Sequence, residues 1–287
     1  IGLTIVAVGT SMPELVVSLT SAIGGHSDLA IGNVVGSNIA NLFLILGVCA
    51  TIKSLKFQKE TILFEIPITI ISTILLFLLC INGNGETKNI ILRNEGFLFL
   101  SGCILFIIYN LIMSRKGEKI DKEGTIIEII TNEKKENHLW EAILEIAIGI
   151  VGLKIGGDLV VNGSVEMARV IGITEKLISL TIVAFSTSLP ELITSITATK
   201  KGDTDMAIGN VLGSQIFNIL LIIGISAAVS PIKYSTEYNS NIILLTVGSI
   251  MLAIFPFIGE KNKMTRKNGI LFVIIYIIYL ASLVYFA

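Results

Sequence analysis

Two glutamates, Glu14 and Glu191, lie inside otherwise apolar segments, and each ends a short run of hydroxyl side chains and a proline. The run reads Gly-Thr-Ser-Met-Pro-Glu at the first site and Ser-Thr-Ser-Leu-Pro-Glu at the second. Carboxylate and hydroxyl oxygens are the ligands that Ca²⁺ and other hard cations prefer. Two carboxylates also carry the charge that one divalent cation neutralises, so these residues predict a calcium site.

Hydroxyl and carbonyl oxygens near Glu14 extend this set of ligands. Thr10 and Ser11 precede Glu14 by four and three residues, which places them on the same face of a helix. Pro13 cannot donate a hydrogen bond to the carbonyl of Gly9, and its ring opens that turn and frees carbonyl oxygens. The second copy predicts the same roles for Thr187, Ser188, Pro190 and the carbonyl of Ser186.

The apolar segment that follows each glutamate carries a polar stripe. Asn33, Ser37 and Asn41 are spaced four residues apart, which places them on one face of a helix. The stripe of the second copy comprises Asn210, Ser214 and Asn218. Gly32 and Gly36 form a small-xxx-small pattern that lets two membrane helices approach closely, and the pattern recurs at Gly209 and Gly213. We expect these side chains to complete an oxygen shell.

The two glutamate segments are copies of one block. Residues 3–14 match residues 180–191, and residues 31–41 match residues 208–218, at a constant offset of 177 positions. More than half of the paired positions are identical. The duplication predicts one site that is assembled from two halves.

The composition indicates that membrane-spanning helices carry this site. The chain is 53% hydrophobic and 15% charged, with a mean hydropathy of +0.83, which is typical of an all-α polytopic membrane protein. A net charge of −1 without a basic stripe excludes a nucleic-acid partner. Apolar runs of about 20 residues, the length that spans a bilayer, predict nine spans near 1–22, 29–51, 61–82, 95–114, 140–163, 175–199, 205–229, 239–258 and 268–286.

The repeat offset also predicts a domain organisation. The second block is preceded by the span 140–163, so we expect a tenth span before residue 1 and two repeats of five helices. The first repeat comprises residues 1–114, a charged linker comprises 115–139, and the second repeat comprises 140–287. At about 1.5 Å per helical residue, Glu14 and Glu191 lie roughly 12–14 Å below the membrane surface, near its midplane.

A buried charge at that depth costs about 2.5–3.5 kcal/mol even on a lenient insertion scale, so each carboxylate needs a partner. Lys154 is the one basic residue inside a predicted span, and Asp158 lies one helical turn away from it. We expect these two to pair with each other. Glu14 and Glu191 then remain for a cation.

Basic residues predict the orientation in the membrane. Fifteen Lys and Arg residues fall in the alternate loops near 53–59, 115–135, 200–201 and 261–267, and five fall in the other set. Short basic loops favour the cytoplasm, so we expect the linker 115–139 inside the cell, the C-terminus outside, and the protein in the plasma or inner membrane. Five crossings separate the two glutamate helices, which makes the repeats inverted. Inverted repeats with interrupted helices are typical of secondary transporters.

With these two motifs in both copies, Gly9–Glu14 and Gly32–Asn38, the chain resembles the cation/calcium exchanger superfamily, and within it the prokaryotic sodium/calcium exchangers. The resemblance implies ten helices in two inverted repeats, with the first and sixth helices sliding across a central core. It implies that Glu14 and Glu191 ligate calcium and share sodium with neighbouring hydroxyls. The further ligands that it implies are Thr10, Thr187, Ser11, Ser188, Ser37, Ser214, Asn41, Asn218 and the carbonyls of Ala7 and Ala184.

Three positions depart from the family pattern. Several relatives carry an aspartate where this chain has Asn218, which affects the ion ratio and any coupling to potassium. Ser186 and Gln215 replace a glycine and an asparagine. None of the three changes removes a glutamate.

The sequence therefore predicts a transporter and not an enzyme: an antiporter that exchanges Na⁺ for Ca²⁺ by alternating access. The ions bind as substrates, no resident cofactor is expected, the bilayer is the other partner, and the oligomeric state is left open. The nearest alternatives are H⁺/Ca²⁺ exchange and K⁺-dependent cation/Ca²⁺ exchange on the same fold. Related proton exchangers, however, place a glutamate where this chain has Ser37 and Ser214. A passive calcium channel is the alternative from another class.

Overall fold

The computed structural model describes residues 2–81, 89–118, 139–258 and 261–285. Most of the predicted linker, and the side chain of Lys154 with its predicted pairing, lie outside the described part of the chain. Helices occupy all nine segments that the hydropathy pattern predicts. In the first half they are α1 (Gly2–Thr10), α2 (Met12–Ile23), α3 (Ser27–Ile39), α4 (Leu46–Ile52), α5 (Ile66–Cys80) and α6 (Arg93–Glu118).

The second half repeats this order after a longer first helix. Its helices are α7 (Leu139–Ile171), α8 (Glu175–Ile178), α9 (Ala184–Thr187), α10 (Leu189–Lys201), α11 (Thr204–Phe217), α12 (Gly224–Val229), α13 (Asn239–Ile254) and α14 (Arg266–Tyr285). Helix α7 continues eight residues beyond its predicted end at 163 and stops at Gly172, which has a φ of +77°. Short 3₁₀ turns flank α13 at Thr236–Tyr238 and Phe255–Phe257.

Four π-helical segments interrupt these spans without ending them. They are Ala40–Ile45 between α3 and α4, Thr61–Glu65 before α5, Ser179–Val183 between α8 and α9, and Asn218–Ile223 between α11 and α12. Hydropathy carries no signal for a π-helix, so none of the four was predicted.

The chain is an all-α polytopic membrane protein. Among the described residues, six continuous helical stretches are long and apolar enough to cross a membrane, and a seventh span forms if the two halves of 175–201, bent by 45°, are counted together. Helix α2 is a shorter apolar helix. Nine crossings therefore stay a prediction, although the helices for all of them are present.

The loops at the ends of the helices contact one another in two groups, which define two opposite faces of the protein. Strand β1 (Leu55–Lys56) pairs antiparallel with β4 (Lys263–Met264), and Gln58 donates to Asp205 at 2.7 Å, so the connections near 53–60, 202–205 and 261–266 form one face. We call this the Lys53 face. The two-residue strands were not predicted, because a pairing across more than 200 residues leaves no local pattern.

The opposite face joins the remaining connections. Strand β2 (Ile90–Ile91) pairs with β3 (Ile232–Lys233), and His26 lies 3.2 Å from Glu175. We call this the His26 face. Helix α2 ends at the His26 face whereas α10 ends at the Lys53 face, so the two glutamate helices run in opposite directions, as the crossing count predicts.

The core of the molecule is formed by the two spans that carry the polar stripes. In each of the spans Ser27–Ile52 and Thr204–Val229, 78% of an 18-residue apolar stretch is buried inside the protein. The corresponding share is 22% in Arg93–Met113 and in Arg266–Tyr285. The outer helices therefore present apolar side chains to lipid, and the stripe helices lie at the centre. This arrangement surrounds the glutamates with protein on all sides.

Candidate ion-binding site

Both glutamate helices begin at a break in the backbone. Ser11 separates α1 from α2 with φ −85° and ψ 7°, and Ser188 separates α9 from α10 with φ −84° and ψ 4°. Pro13 and Pro190 each occupy the second position of the new helix, where the missing N–H leaves no bond unmade. The break thus lies at the serines, two residues after Gly9, where we expected the turn to open.

Glu14 and Glu191 are fully buried, with 0% of either residue exposed. The Oγ of Ser188 donates to Oε1 of Glu14 at 3.2 Å, and the Oγ of Ser11 donates to Oε1 of Glu191 at 3.0 Å. Each carboxylate therefore receives a hydroxyl from the opposite half of the chain. The sequence placed Ser11 on the same helix face as Glu14, but Ser11 lies at the break between α1 and α2 and its hydroxyl donates to Glu191 of the other half.

The threonines cross the interface in the same way. Thr187 donates to Oδ1 of Asn33 at 3.0 Å, and Thr10 donates to Oδ1 of Asn210 at 3.3 Å. Both asparagines are fully buried. These four hydroxyl bonds between the two halves form two matched pairs.

The side chains of Asn33 and Asn210 also donate hydrogen bonds to the glutamate helices α2 and α10. The amide of Asn33 donates to the backbone oxygen of Glu14 at 3.2 Å and to Oγ of Ser18 at 2.9 Å. In the second half, Asn210 bonds the backbone oxygen of Glu191 at 3.5 Å and Oγ of Ser195 at 3.0 Å. Ser18 and Ser195 were not predicted from the sequence as part of the site. The repeat offset could have found them, since they lie 177 residues apart and one turn after each glutamate.

The carbonyls of Ala7 and Ala184 lie within hydrogen-bond distance of hydroxyls of this layer, and they also accept the backbone N–H of Ser11 and Ser188. The Oγ1 of Thr10 lies 3.3 Å from the carbonyl oxygen of Ala7, and the Oγ1 of Thr187 lies 3.2 Å from that of Ala184. Each threonine therefore shares its single hydroxyl proton between this carbonyl and the asparagine of the opposite half. Ser37 adds a bond of 3.3 Å to the carbonyl of Ala184. Its counterpart is oriented differently, because Ser214 donates to Oε1 of Glu191 at 3.4 Å.

Asn41 and Asn218 lie one turn further along the stripe, where the π segments Ala40–Ile45 and Asn218–Ile223 begin. Single π turns in α-helices are frequent at functional sites, because they reorient side chains. Asn218 donates to Oδ1 of Asn38 at 3.0 Å, a bond that an aspartate could not make. Asn38 and Gln215 are further buried amides of this layer that the sequence did not assign to the site.

Several buried oxygens of the site have no hydrogen-bond partner among the described residues. They are Oε2 of Glu14, Oε2 of Glu191, Oδ1 of Asn41 and Oδ1 of Asn218. Unpaired buried oxygens are costly, and a cation satisfies several of them at once. These atoms, with the hydroxyls and the alanine carbonyls, are the ligands that the site can offer.

The charge of the two carboxylates is not balanced by a described basic side chain. Ion pairs of His26, Arg169 and Lys176 lie toward the His26 face, away from the glutamates. The part of the chain that the structure describes contains no group of three or more His, Cys, Asp or Glu side chains that could hold a metal ion. The site thus combines two negative charges with neutral oxygens, the donor set of a hard cation.

The crossed serines give a test of this arrangement. Replacing Ser11 or Ser188 with alanine removes a hydrogen bond to a carboxylate, which contributes about 1.5–3 kcal/mol, so we expect Ca²⁺ affinity to fall about tenfold or more. Isothermal titration of purified protein with Ca²⁺ measures the effect. The matched control is Ser101→Ala, because Ser101 is exposed and bonds only within its own helix, to Leu98. Unchanged affinity in both serine variants would contradict a role for the crossed bonds.

Comparisons with known proteins identify relatives over the full length of the chain. A family model described as sodium/calcium exchanger protein matches residues 1–114 and 141–285. Sodium/calcium exchanger MaX1 of Methanosarcina acetivorans is 29% identical, covering 99% of this chain and 88% of its own. Inner membrane protein YrbG of Escherichia coli is 30% identical, covering 99% of this chain and 85% of its own.

The fold has a counterpart among solved structures. A structure of the sodium-calcium exchanger NCX_Mj soaked with Na⁺ and Sr²⁺ matches with a TM-score of 0.68 at 30% identity. The match covers 98% of this chain and 85% of that one. Both the sequence family and the arrangement of helices are therefore shared.

Proposed function

Because this chain belongs to the sodium/calcium exchanger protein family, whose members are cation exchangers and not enzymes, we propose that it exchanges Na⁺ for Ca²⁺ by alternating access. The observation that carries the proposal is the crossed pair of glutamates. Each carboxylate is fully buried, holds one oxygen to a serine of the opposite half, and leaves the other oxygen free for an ion.

Calcium binds between Glu14 and Glu191 through their free Oε2 atoms, so that its two charges neutralise both carboxylates. Sodium ions occupy overlapping positions, because a monovalent ion needs fewer charged ligands and accepts hydroxyl and carbonyl oxygens. The proposed ligands are Glu14, Glu191, Thr10, Thr187, Ser11, Ser188, Ser37, Ser214, Asn41, Asn218 and the carbonyls of Ala7 and Ala184.

The coupling of the two ions follows from the cost of burying charge. An unoccupied pair of carboxylates resists closure within the protein, whereas a pair neutralised by Ca²⁺ or by Na⁺ does not. A ligand shifts the equilibrium between inward-open and outward-open states only by its different affinity for them. Overlapping ligands therefore prevent the two ions from being carried together, and inflow of sodium drives calcium out.

Sodium is favoured over the proton as the coupling ion by the residues around the glutamates. Serines, Ser37 and Ser214, lie four residues after the asparagine of each Gly-Asn pair, and their hydroxyls can ligate sodium but do not titrate near neutral pH. The relatives named as sodium/calcium exchangers support the same assignment.

The Lys53 face lies in the cytoplasm in this proposal and the His26 face lies outside. The basic residues of the connections near 53–59, 200–201 and 261–267 support this orientation, because short basic loops are retained on the cytoplasmic side. The protein then lies in the plasma or inner membrane as two inverted repeats, 1–114 and 140–287, joined by a cytoplasmic linker at 115–139.

Uptake of calcium into proteoliposomes tests the proposed exchange. Vesicles loaded with Na⁺ and diluted into sodium-free buffer should accumulate ⁴⁵Ca²⁺, and vesicles without a sodium gradient should not. A pH gradient imposed without sodium is the matched condition. Uptake that follows the pH gradient and ignores sodium would instead indicate proton exchange, and uptake that ignores both gradients would indicate a channel.

A further inference from the structure

A cavity opens at the His26 face, away from the glutamates, between the start of α8 and the helices α13 and α14. Its volume is about 530 Å³, and its lining includes Lys176, Glu237, Ser240 and Ser282. A second cavity of about 310 Å³ shares Ser240 and Ser282 with the first and is otherwise lined mainly by apolar side chains, including Leu244, Ile275 and Ile278. The two cavities thus form one groove with a polar mouth and an apolar shaft.

The groove follows the depth of one leaflet. Its mouth lies at the helix ends, near Thr236 and Tyr285, whereas Leu244 is eight residues and Ile275 ten residues further in. At about 1.5 Å per residue these side chains lie about 12–15 Å from the mouth, half of a hydrocarbon core that is about 30 Å thick. Ile278 on the wall of the shaft is 62% exposed, so this part opens toward lipid.

The mouth carries one charge of each sign. The Nζ of Lys176 donates to Oε2 of Glu237 at 3.0 Å and also lies 5.6 Å from the ring centre of Tyr238. An ammonium group has three N–H donors, so Lys176 keeps donors for another acceptor. Glu237 is 67% exposed and keeps a second carboxylate oxygen for another donor.

The charges nearby select the kind of headgroup. Asp28 lies on the same face, within electrostatic reach of both Glu175 and Glu237. A headgroup with only negative charge is repelled by these carboxylates. A headgroup that pairs a phosphate with a primary ammonium places its phosphate at Lys176 and its ammonium at Glu237. A quaternary ammonium fits less well because it has no N–H to donate.

We propose that this groove is a binding site for a phospholipid with a phosphoethanolamine headgroup. The phosphate accepts from Lys176 and Ser240, the ammonium donates to Glu237, and one acyl chain lies along Leu244, Ile275 and Ile278. The wall of the mouth includes Thr174 and Leu177, at the start of the broken span that continues to Glu191. A bound lipid therefore stabilises the position of that span, whichever ions the protein carries.

Thermal unfolding with added lipid tests this site and does not depend on exchange activity. Delipidated full-length protein in detergent should melt several degrees higher with phosphatidylethanolamine than with phosphatidylcholine or phosphatidylglycerol of the same acyl chains. Soluble glycerophosphoethanolamine should have no effect, because it lacks the chain that fills the shaft. Equal stabilisation by the three lipids, or full stabilisation by the soluble headgroup, overturns the proposal.

Variants locate the effect. Lys176→Gln removes a charged hydrogen bond and should weaken binding of phosphatidylethanolamine about tenfold, measured by lipid titration and by native mass spectrometry. Arg169→Gln is the matched control, because Arg169 forms an exposed ion pair with Glu166 near the same face. If Lys176→Gln does not fold, the second variant is Ser282→Trp, which keeps Lys176 and Glu237 but fills the mouth of the groove with a bulky side chain. A lipid preference that persists in the folded variant overturns the proposal.

Discussion

Glu14→Gln and Glu191→Gln should each abolish sodium-driven uptake of calcium into proteoliposomes. Glutamine keeps the shape and can still accept from the crossed serines, Ser188 and Ser11, so the fold is preserved while one charge is lost. A calcium ion in the variant is held by one carboxylate where two are needed to neutralise it. We expect its affinity to fall by more than about 100-fold, the upper limit seen when only an outer partner of a metal site is changed.

The control is Glu166→Gln, which removes the same charge from an exposed surface pair. It should transport normally. Circular dichroism and the melting temperature distinguish loss of binding from loss of fold, and the glutamine variants should melt no lower than the parent protein, because they relieve a buried charge. Near-normal exchange in either glutamate variant would remove that residue from the site.

The spans could be predicted from sequence because they depend on local composition, and the meeting of the two glutamate blocks could be predicted because the block is repeated. Runs of apolar residues determine where a helix can cross a membrane, and helices occupy all nine predicted segments. The duplicated block identified Glu14 and Glu191, and the structure brings the two copies together through crossed hydrogen bonds. Their binding of ions stays a prediction.

The partners of the individual side chains could not be predicted. Helical spacing placed Ser11 on the same face as Glu14, but the helix breaks at Ser11 and its hydroxyl donates to Glu191, which lies 180 residues away in the chain. Such a pairing depends on how two broken helices pack, and no spacing within one helix encodes it. The π segments that begin at Ala40 and Asn218 could not be predicted either, because a hydropathy pattern does not distinguish a π-helix from an α-helix.

Gly36→Val should lower the melting temperature strongly and eliminate exchange. An added Cβ at Gly36 would lie 2.6 Å from the Cβ of Ala184 and 3.0 Å from the Cα and backbone oxygen of Leu180. Two of these atoms are backbone, so a rotamer change cannot relieve the overlap. Overpacking of this kind costs about 1–3 kcal/mol or more, and the neighbouring Ser37 would lose its bond to the carbonyl of Ala184.

Two further variants separate a packing effect from a general intolerance of larger side chains. Gly163→Val is the control, because an added Cβ there has no described heavy atom within 4 Å, and it should melt close to the parent protein. Gly36→Ala should be damaging alone and partly rescued by Ala184→Gly, which removes the nearest atom. The rescue is incomplete because the contacts with Leu180 remain. If Ala184→Gly gives no rescue at all, the contact with Ala184 is not what limits the approach of the two halves.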